Sequence, residues 1–159
     1  MNMQRSPNRW SCLLTSFAMA LDVTFESLAQ KIGHEGDEII FPNLPDPLRR
    51  RAFHIQEFVV PSLNEGFALV IVEARPVIAV PVNGQHLFKP LDLAVSRLNQ
   101  FTTMYDGVLI GMVNRQPHAV AWNSLAKACY DPSTEEIYSM DDFAIREFAA
   151  LIPLTIKSQ

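Results

Sequence analysis

The sequence predicts an α+β fold in which a central N-terminal helix packs on a mostly antiparallel sheet. Three observations carry that expectation. Residues 12–21 are apolar on nearly every face, which is the signature of a helix buried all round. Helical spacing dominates the first two thirds of the chain, and beyond residue 106 short apolar runs separated by turn formers replace it. Helices first and strands after is the α+β order.

Ser11 is a good N-cap for the first helix, whose Leu13, Leu14, Phe17, Ala18, Met19 and Leu21 reach almost every side. Thr24 caps a second helix through Phe25, Leu28, Ala29 and Ile32, and Gly33 ends it. Residues 34–47 are polar and proline-bearing, so a long loop at a cleft rim is expected. Ile55, Phe58, Val59 and Leu63 follow a helical period that Pro61 should kink or shorten. The stretch 67–73 suits helix and strand alike, whereas Val77-Ile78-Ala79-Val80 after Pro76 reads as a buried strand.

Pro90 fits the first position of a helix carrying Leu91, Ala94, Val95, Leu98 and Phe101 on one face. Strands are then expected at 107–113, 118–123 and 127–130, with a turn at 114–117. A short 137–138 strand, a helix at 141–148 and a closing strand at 152–156 complete the reading. No repeat or low-complexity segment interrupts it, so residues 1–159 are read as one domain.

Composition bounds the function. Hydrophobic residues make up 48% of the chain and charged residues 19%, a balance that favours a packed globule over disorder. A net charge of −4 argues against a nucleic-acid surface. Arg49-Arg50-Arg51 is the one basic cluster, and it reads as a solvated face. Cys12 and Cys129 are too few for a disulfide scaffold and lack zinc-site spacing, so a reduced, cytoplasmic setting is expected. The first ten residues lack a signal-peptide pattern, and no apolar run reaches the roughly 18 residues of a membrane span. The short lead before Cys12 leaves the expectation of no sizeable propeptide there. His34, Glu35, Asp37 and Glu38 carry metal-ligand chemistry but have no partner cluster, so neither metal nor cofactor is expected.

The residues that carry chemistry are Cys12, His118 and Asp131. A thiol attacks as thiolate, and a helix N-terminus supplies unpaired N–H groups and positive potential; Cys12 follows the cap directly. Its base must be one of four histidines. His34 lies in a charged loop, His54 at a helix start and His86 in an Asn-Gly-Gln turn region, and all three read as solvated. His118 opens the apolar run Ala119-Val120-Ala121-Trp122, and Asp131 on the next strand can fix its tautomer. Asn123 is a second orienter candidate, although its odd offset from His118 points it to the opposite face. Cys129, two residues before Asp131, reads as a buried inert thiol. Trp10 and Trp122 are candidates for the cleft lining and equally for structural roles.

With these residues in view, the chain resembles the papain-like cysteine peptidases, and most closely the domains that trim double-glycine leaders from bacteriocins. The likeness rests on Asn8-Arg9-Trp10-Ser11-Cys12-Leu13-Leu14-Thr15-Ser16-Phe17-Ala18-Met19-Ala20-Leu21 and on His118-Ala119-Val120-Ala121-Trp122 leading to Tyr130-Asp131-Pro132. It implies a papain-like fold, with Cys12 as nucleophile, His118 as base and Asp131 as its orienter, and it implies a protein or peptide substrate. The family places a glutamine upstream of the cysteine to help bind the oxyanion. Ser6 occupies that offset here, which leaves Gln4 and Asn8 as candidates; Leu13 stands where the family has glycine. The middle third matches only in the general order of elements.

The expected activity is cleavage of a peptide or isopeptide bond through a thioester. The same triad also serves deamidation and acyl transfer, and an incomplete oxyanion site would leave a peptide-binding or inhibitory module.

Overall fold

The computed structural model describes residues 1–91, 96–114 and 116–154. Helices α1 (Cys12–Ala20), α2 (Phe25–Ile32) and α3 (Val59–Asn64) come first, with a single 3₁₀ turn at Ile55–Phe58 leading into α3. Strand β1 (Phe67–Glu73) precedes a hairpin of β2 (Val77–Val82) and β3 (Gln85–Pro90), followed by α4 (Arg97–Met104). The rest of the chain is β4 (Gly107–Val113), β5 (Gln116–Asn123), β6 (Ala128–Tyr130), β7 (Ile137–Tyr138) and β8 (Ala144–Pro153). Six strands form one sheet in the order β1-β8-β4-β5-β6-β7, with every pair antiparallel. The α+β expectation holds.

The sheet's alternation feeds two cores. Val108, Ala119, Ala149 and Leu151 face Leu14, Phe17, Ala18, Leu28 and Phe58 from the helices. Their neighbours Leu109, Val120, Phe148 and Ala150 face the other way, toward Trp122, Cys129 and Phe143, with Leu98 and Phe101 of α4 against them. Phe17 stacks on Phe58 with ring centroids 4.1 Å apart. Each such fully buried side chain contributes about 1.5–3 kcal/mol relative to exposure.

The caps of α2 follow the sequence closely. Thr24 Oγ1 accepts the Ser27 N–H, and Gly33 closes the helix at φ 87° with its N–H on Ala29 O. Pro61 costs α3 no hydrogen bond, because it lies in the first turn where N–H groups have no intrahelical partner.

Several expectations are corrected. The ambiguous 67–73 stretch is a strand, paired along its whole length with β8. The Val77 strand is exposed, because β2 and β3 form a separate two-stranded hairpin whose Asn83-Gly84 turn has φ of 50° and 77°, the primed-turn signature. Pro90 ends β3 and opens no helix; α4 starts later, where Ser96 Oγ accepts the Asn99 N–H. Ala94 and Val95 lie outside the described residues. The helix expected at 141–148 is a 3₁₀ turn, Met140–Asp142, running into β8, which also absorbs the start of the expected closing strand. β8 sits between β1 and β4, so pairing on both edges overrides its mixed local pattern. Among the described residues, no single helix is long and apolar enough to cross a membrane.

Candidate active site

The first residue of α1 is Cys12, and its thiol is partly exposed. Ser11 precedes it in the N-cap position but does not cap with its side chain; its Oγ–H donates instead to Asn8 Oδ1 at 2.5 Å. Asn8 Oδ1 also accepts the Trp10 N–H at 3.2 Å, so the turn before the helix is knotted around one amide oxygen. Asn8 is left with its amide nitrogen to donate, and the Cys12 backbone N–H, as an early helix N–H, has no intrahelical acceptor. One turn further along α1, the buried Ser16 donates to the Ala119 carbonyl at 3.0 Å. That bond fastens the helix to β5 at the residue next to His118.

His118 lies near the start of β5, opposite Gly111 of β4. Gly111 is required there, since a Cβ would stand 2.2 Å from the Ala144 carbonyl oxygen. The His118 Nε2 donates to Asp131 Oδ2 at 2.9 Å, which leaves Nδ1 for the thiol. The Phe143 ring meets the imidazole edge-on, with centroids 6.1 Å apart. The Cys12 thiol approaches the same ring closely enough to help charge it, without the alignment of a full hydrogen bond. Resting sites commonly show such looseness.

Asp131 is held from three directions. Besides His118, the Tyr138 hydroxyl donates to Oδ2 at 2.9 Å, and the Ser133 N–H donates to Oδ1 at 2.8 Å. Pro132 O accepts the Ser6 N–H at 2.8 Å, stitching the lead before Cys12 to the turn that carries Asp131.

Electrostatics follow from this geometry. Burial opposes charge on His118, but its hydrogen bond to Asp131 and the nearby Cys12 thiol outweigh burial and raise its pKa to about 9. Burial likewise works against the Asp131 carboxylate, yet His118, the Ser133 N–H and Tyr138 hold it below the ordinary value. The Tyr138 hydroxyl is pushed upward by burial and by Asp131, so it stays a donor. Cys129 is fully buried and its thiol is pushed up to about 12, chiefly by burial, as befits an inert sulfur.

The structure thus brings Cys12, His118 and Asp131 together. It separates others from them. Gln4 belongs to the opposite end of α1, where its Nε2 donates to Val23 O at 2.7 Å and its Oε1 accepts the Phe25 N–H at 2.9 Å. It pins the lead to the start of α2 and is removed as an oxyanion donor. Asn8, in the turn before the helix, is the oxyanion candidate that remains. Asn123 is engaged at the far end of β5, where its Oδ1 accepts the Ala126 N–H. Trp122 is a core residue whose indole N–H donates to Thr102 O, whereas Trp10 does line the cleft.

Two of the histidines read as solvated are not simply so. His34 Nε2 bonds Glu57 Oε1 at 2.7 Å, its Nδ1 accepts the Gly36 N–H, and its ring stacks on Phe53. His54 is exposed, yet its Nδ1 caps the 3₁₀ turn by accepting the Gln56 N–H. The arginine cluster is also more than a solvated face. Arg50 pairs with Asp46, donates to Asp37 O and lies over the Trp10 ring, 4.5 Å from its centroid. Arg51 pairs with Glu57. These contacts hold the 34–54 loop across the start of α1.

Sequence reasoning missed Ser16 and Tyr138. A serine inside a mostly apolar helix was a signal for the first. Nothing local marks Tyr138, because β7 is only two residues long.

A cleft of about 290 Å³ is lined by Cys12 and His118, and a second hollow of about 260 Å³ by His118 and Asp131. A larger hollow of about 630 Å³ near Glu73 and Arg146 is lined by neither a thiol nor a histidine. No protein-family model, curated protein or solved structure matches this chain.

Proposed function

We propose that this chain is a papain-like thiol hydrolase that cleaves a peptide or isopeptide bond. The observation that carries the proposal is one imidazole bonded through Nε2 to a buried carboxylate at 2.9 Å, with a helix-terminal thiol on its other side. Such a set has the parts that nucleophilic acyl transfer needs.

In this reading His118 takes the proton of Cys12, or the two rest as an ion pair, and Asp131 stabilises the imidazolium. The thiolate attacks the carbonyl carbon, forming a C–S bond and an oxyanion. The Cys12 backbone N–H and the Asn8 amide donate to that oxyanion. His118 Nδ1–H then protonates the departing nitrogen as the C–N bond breaks, leaving a thioester. Neutral His118 takes a proton from water, the hydroxide attacks the thioester, and a carboxylic acid leaves as the thiolate and imidazolium re-form. Two free thiols, one of them the nucleophile, suit a reducing compartment such as the cytoplasm.

A second reading draws on the position of Gln4. With its amide committed to Val23 and Phe25, the hole has one side-chain donor, Asn8, which also fits a catalytically weak peptide-binding module. Deamidation and acyl transfer use the same triad. Incubating the protein with a proteome-derived peptide library, with mass analysis of the products, separates the cases. Hydrolysis yields new termini that vanish with Cys12→Ala and His118→Ala. Deamidation changes mass without chain scission, and acyl transfer joins two peptides. If no product forms and Cys12 alkylates like a free thiol in both wild type and His118→Ala, the catalytic reading is overturned.

A further inference from the structure

The hairpin of β2 and β3 stands apart from the main sheet. Among the described residues it pairs with no third strand, and it gives no residue to either core. Apart from the half-buried Val80, every residue of its two strands is exposed. Yet the hairpin is apolar: Val77, Ile78, Val82, Leu87 and Phe88, with Leu91 just beyond, are between 41% and 67% exposed. Its one formal charge is Lys89. A two-stranded hairpin is at best marginally stable in water by itself, and a contiguous apolar patch of this kind marks an interaction surface.

Backbone chemistry distinguishes the two free edges. The Leu91 N–H donates to Pro76 O at 2.8 Å. In an antiparallel pair the bonded positions alternate, so Ile78 with Lys89, Val80 with Leu87 and Val82 with Gln85 also bond inward. The backbone groups of Val77, Ala79 and Pro81 on β2, and of His86, Phe88 and Pro90 on β3, therefore point outward. On β2 the position nearest the turn is Pro81, which has no N–H, while Val77 lies at the root beside Glu73 and Arg146 of the main sheet. On β3 the proline is at the root instead. His86 and Phe88 thus keep their donors in the half of the hairpin that projects furthest.

We infer that β3 pairs antiparallel with β3 of a second copy of this chain, joining two hairpins into a four-stranded sheet about a two-fold axis near Leu87 and Phe88. Self-pairing meets no like-charge contact. With the axis at Leu87, Lys89 lies opposite the partner's Gln85; with the axis at Phe88, it lies opposite the partner's Leu87. Edge pairing along β3, with Leu87 and Phe88 of each copy against those of the other, covers on the order of 1,000 Å² in total, near the least that a specific dimer needs. The association is therefore a reversible one. No hairpin residue lines the two hollows at His118, so pairing leaves the candidate active site open and does not depend on the proposed reaction.

Sedimentation velocity of the full chain from about 1 to about 200 µM tests the pairing. The mean mass should rise from the 17.9 kDa of one chain toward twice that value. Hydrogen exchange should slow at the His86 and Phe88 amides as the dimer fills, while Val77 and Ala79 stay fast at every concentration. His86→Pro removes an outward donor from each copy and no bond inside the hairpin, so it should weaken dimerisation at least about tenfold while Ile78 and Val80 keep their protection. Phe88→Ser, at the most exposed side chain of the hairpin, should weaken it as well, and decides the matter if the proline disturbs the hairpin itself. A chain that stays single throughout overturns the inference, even if it binds phosphatidylglycerol vesicles or a strand-forming peptide added to the run, because the occupant is then another molecule. A dimer that both variants leave intact overturns it too, since it forms through a different surface.

Discussion

Asp131→Asn isolates what one carboxylate contributes to His118. The amide keeps the shape but loses the charge, and it offers one acceptor oxygen to three donors: His118 Nε2–H, the Tyr138 hydroxyl and the Ser133 N–H. At about 9 against an ordinary 6.5, the His118 shift corresponds to roughly 3.4 kcal/mol at about 1.36 kcal/mol per unit. The His118 side chain is only 12% exposed, so solvent screening takes little from this figure. Burial pulls the other way, and the upward pull is shared by Asp131 and Cys12, with the Asp131 bond the larger. Losing the carboxylate should lower the His118 midpoint by about one to two units, or about 1.4–2.7 kcal/mol.

The stability consequence has a definite sign. The folded pKa of His118 is raised above its unfolded value, so its contribution is complete below the unfolded pKa of 6.5 and is lost as pH rises through about 9. Asp131 is lowered, so its contribution is present above 3.8 and is lost as pH falls through its folded value. The gap in unfolding free energy between wild type and Asp131→Asn is therefore widest between these limits and narrows above pH about 9. Ring-nitrogen NMR of His118 across the titration gives the midpoints, and urea melts at about pH 6 and about pH 10 give the gap. An unchanged midpoint in the variant would refute the coupling.

Three further outcomes are expected. Asn8→Ala should lower turnover by about two to three orders of magnitude without changing the alkylation rate of Cys12; an equal loss in both would mean that Asn8 holds the thiol and not the oxyanion. Gln4→Ala should cost about 1–2 kcal/mol of stability in denaturant melts, with Cys12 reactivity preserved, because it strands Val23 O and the Phe25 N–H. A variant that melts normally but reacts slowly would return Gln4 to the site. Ser16→Ala should cost about 1–3 kcal/mol by removing the buried donor to Ala119 O, and an undiminished melting temperature would remove its role as the fastening of α1 to β5.

Where local chemistry decided structure, it was legible. Thr24 and Gly33 bracket α2 as capping rules demand, and β4 has the limits expected from its apolar run. The site's main residues were legible because helix start, strand start and turn are each written in a few consecutive residues. What failed was decided at long range. The apolar run of β2 reads as buried, yet the strand pairs only with β3 in a hairpin outside the main sheet. The helix expected at 141–148 gives way to a strand from Ala144 onward, because β1 and β4 flank that stretch. Gln4 lies near Cys12 in sequence, but the lead runs alongside α1, so eight positions carry it to the other end of the helix. Tyr138 reaches Asp131 because β7 pairs with β6, a contact that no local pattern announces.

The place of β8 bears on how the molecule comes into being. Synthesis delivers Cys12, His118 and Asp131 before Ala144–Pro153, yet this strand fills the slot between β1 and β4 and hydrogen-bonds to both. Until it arrives, Gly107–Val113 has one open edge and β1 has no partner in the sheet, while α1 lacks the Ala149 and Leu151 side of its core. Pairings between residues as distant as Phe67 and Pro153 form slowly, because loop closure must be met before contacts reward it. The strand furthest along the described sequence from Cys12 is therefore the one that joins the two halves of the sheet, and the packing of α1 against it is completed only when that strand is in place.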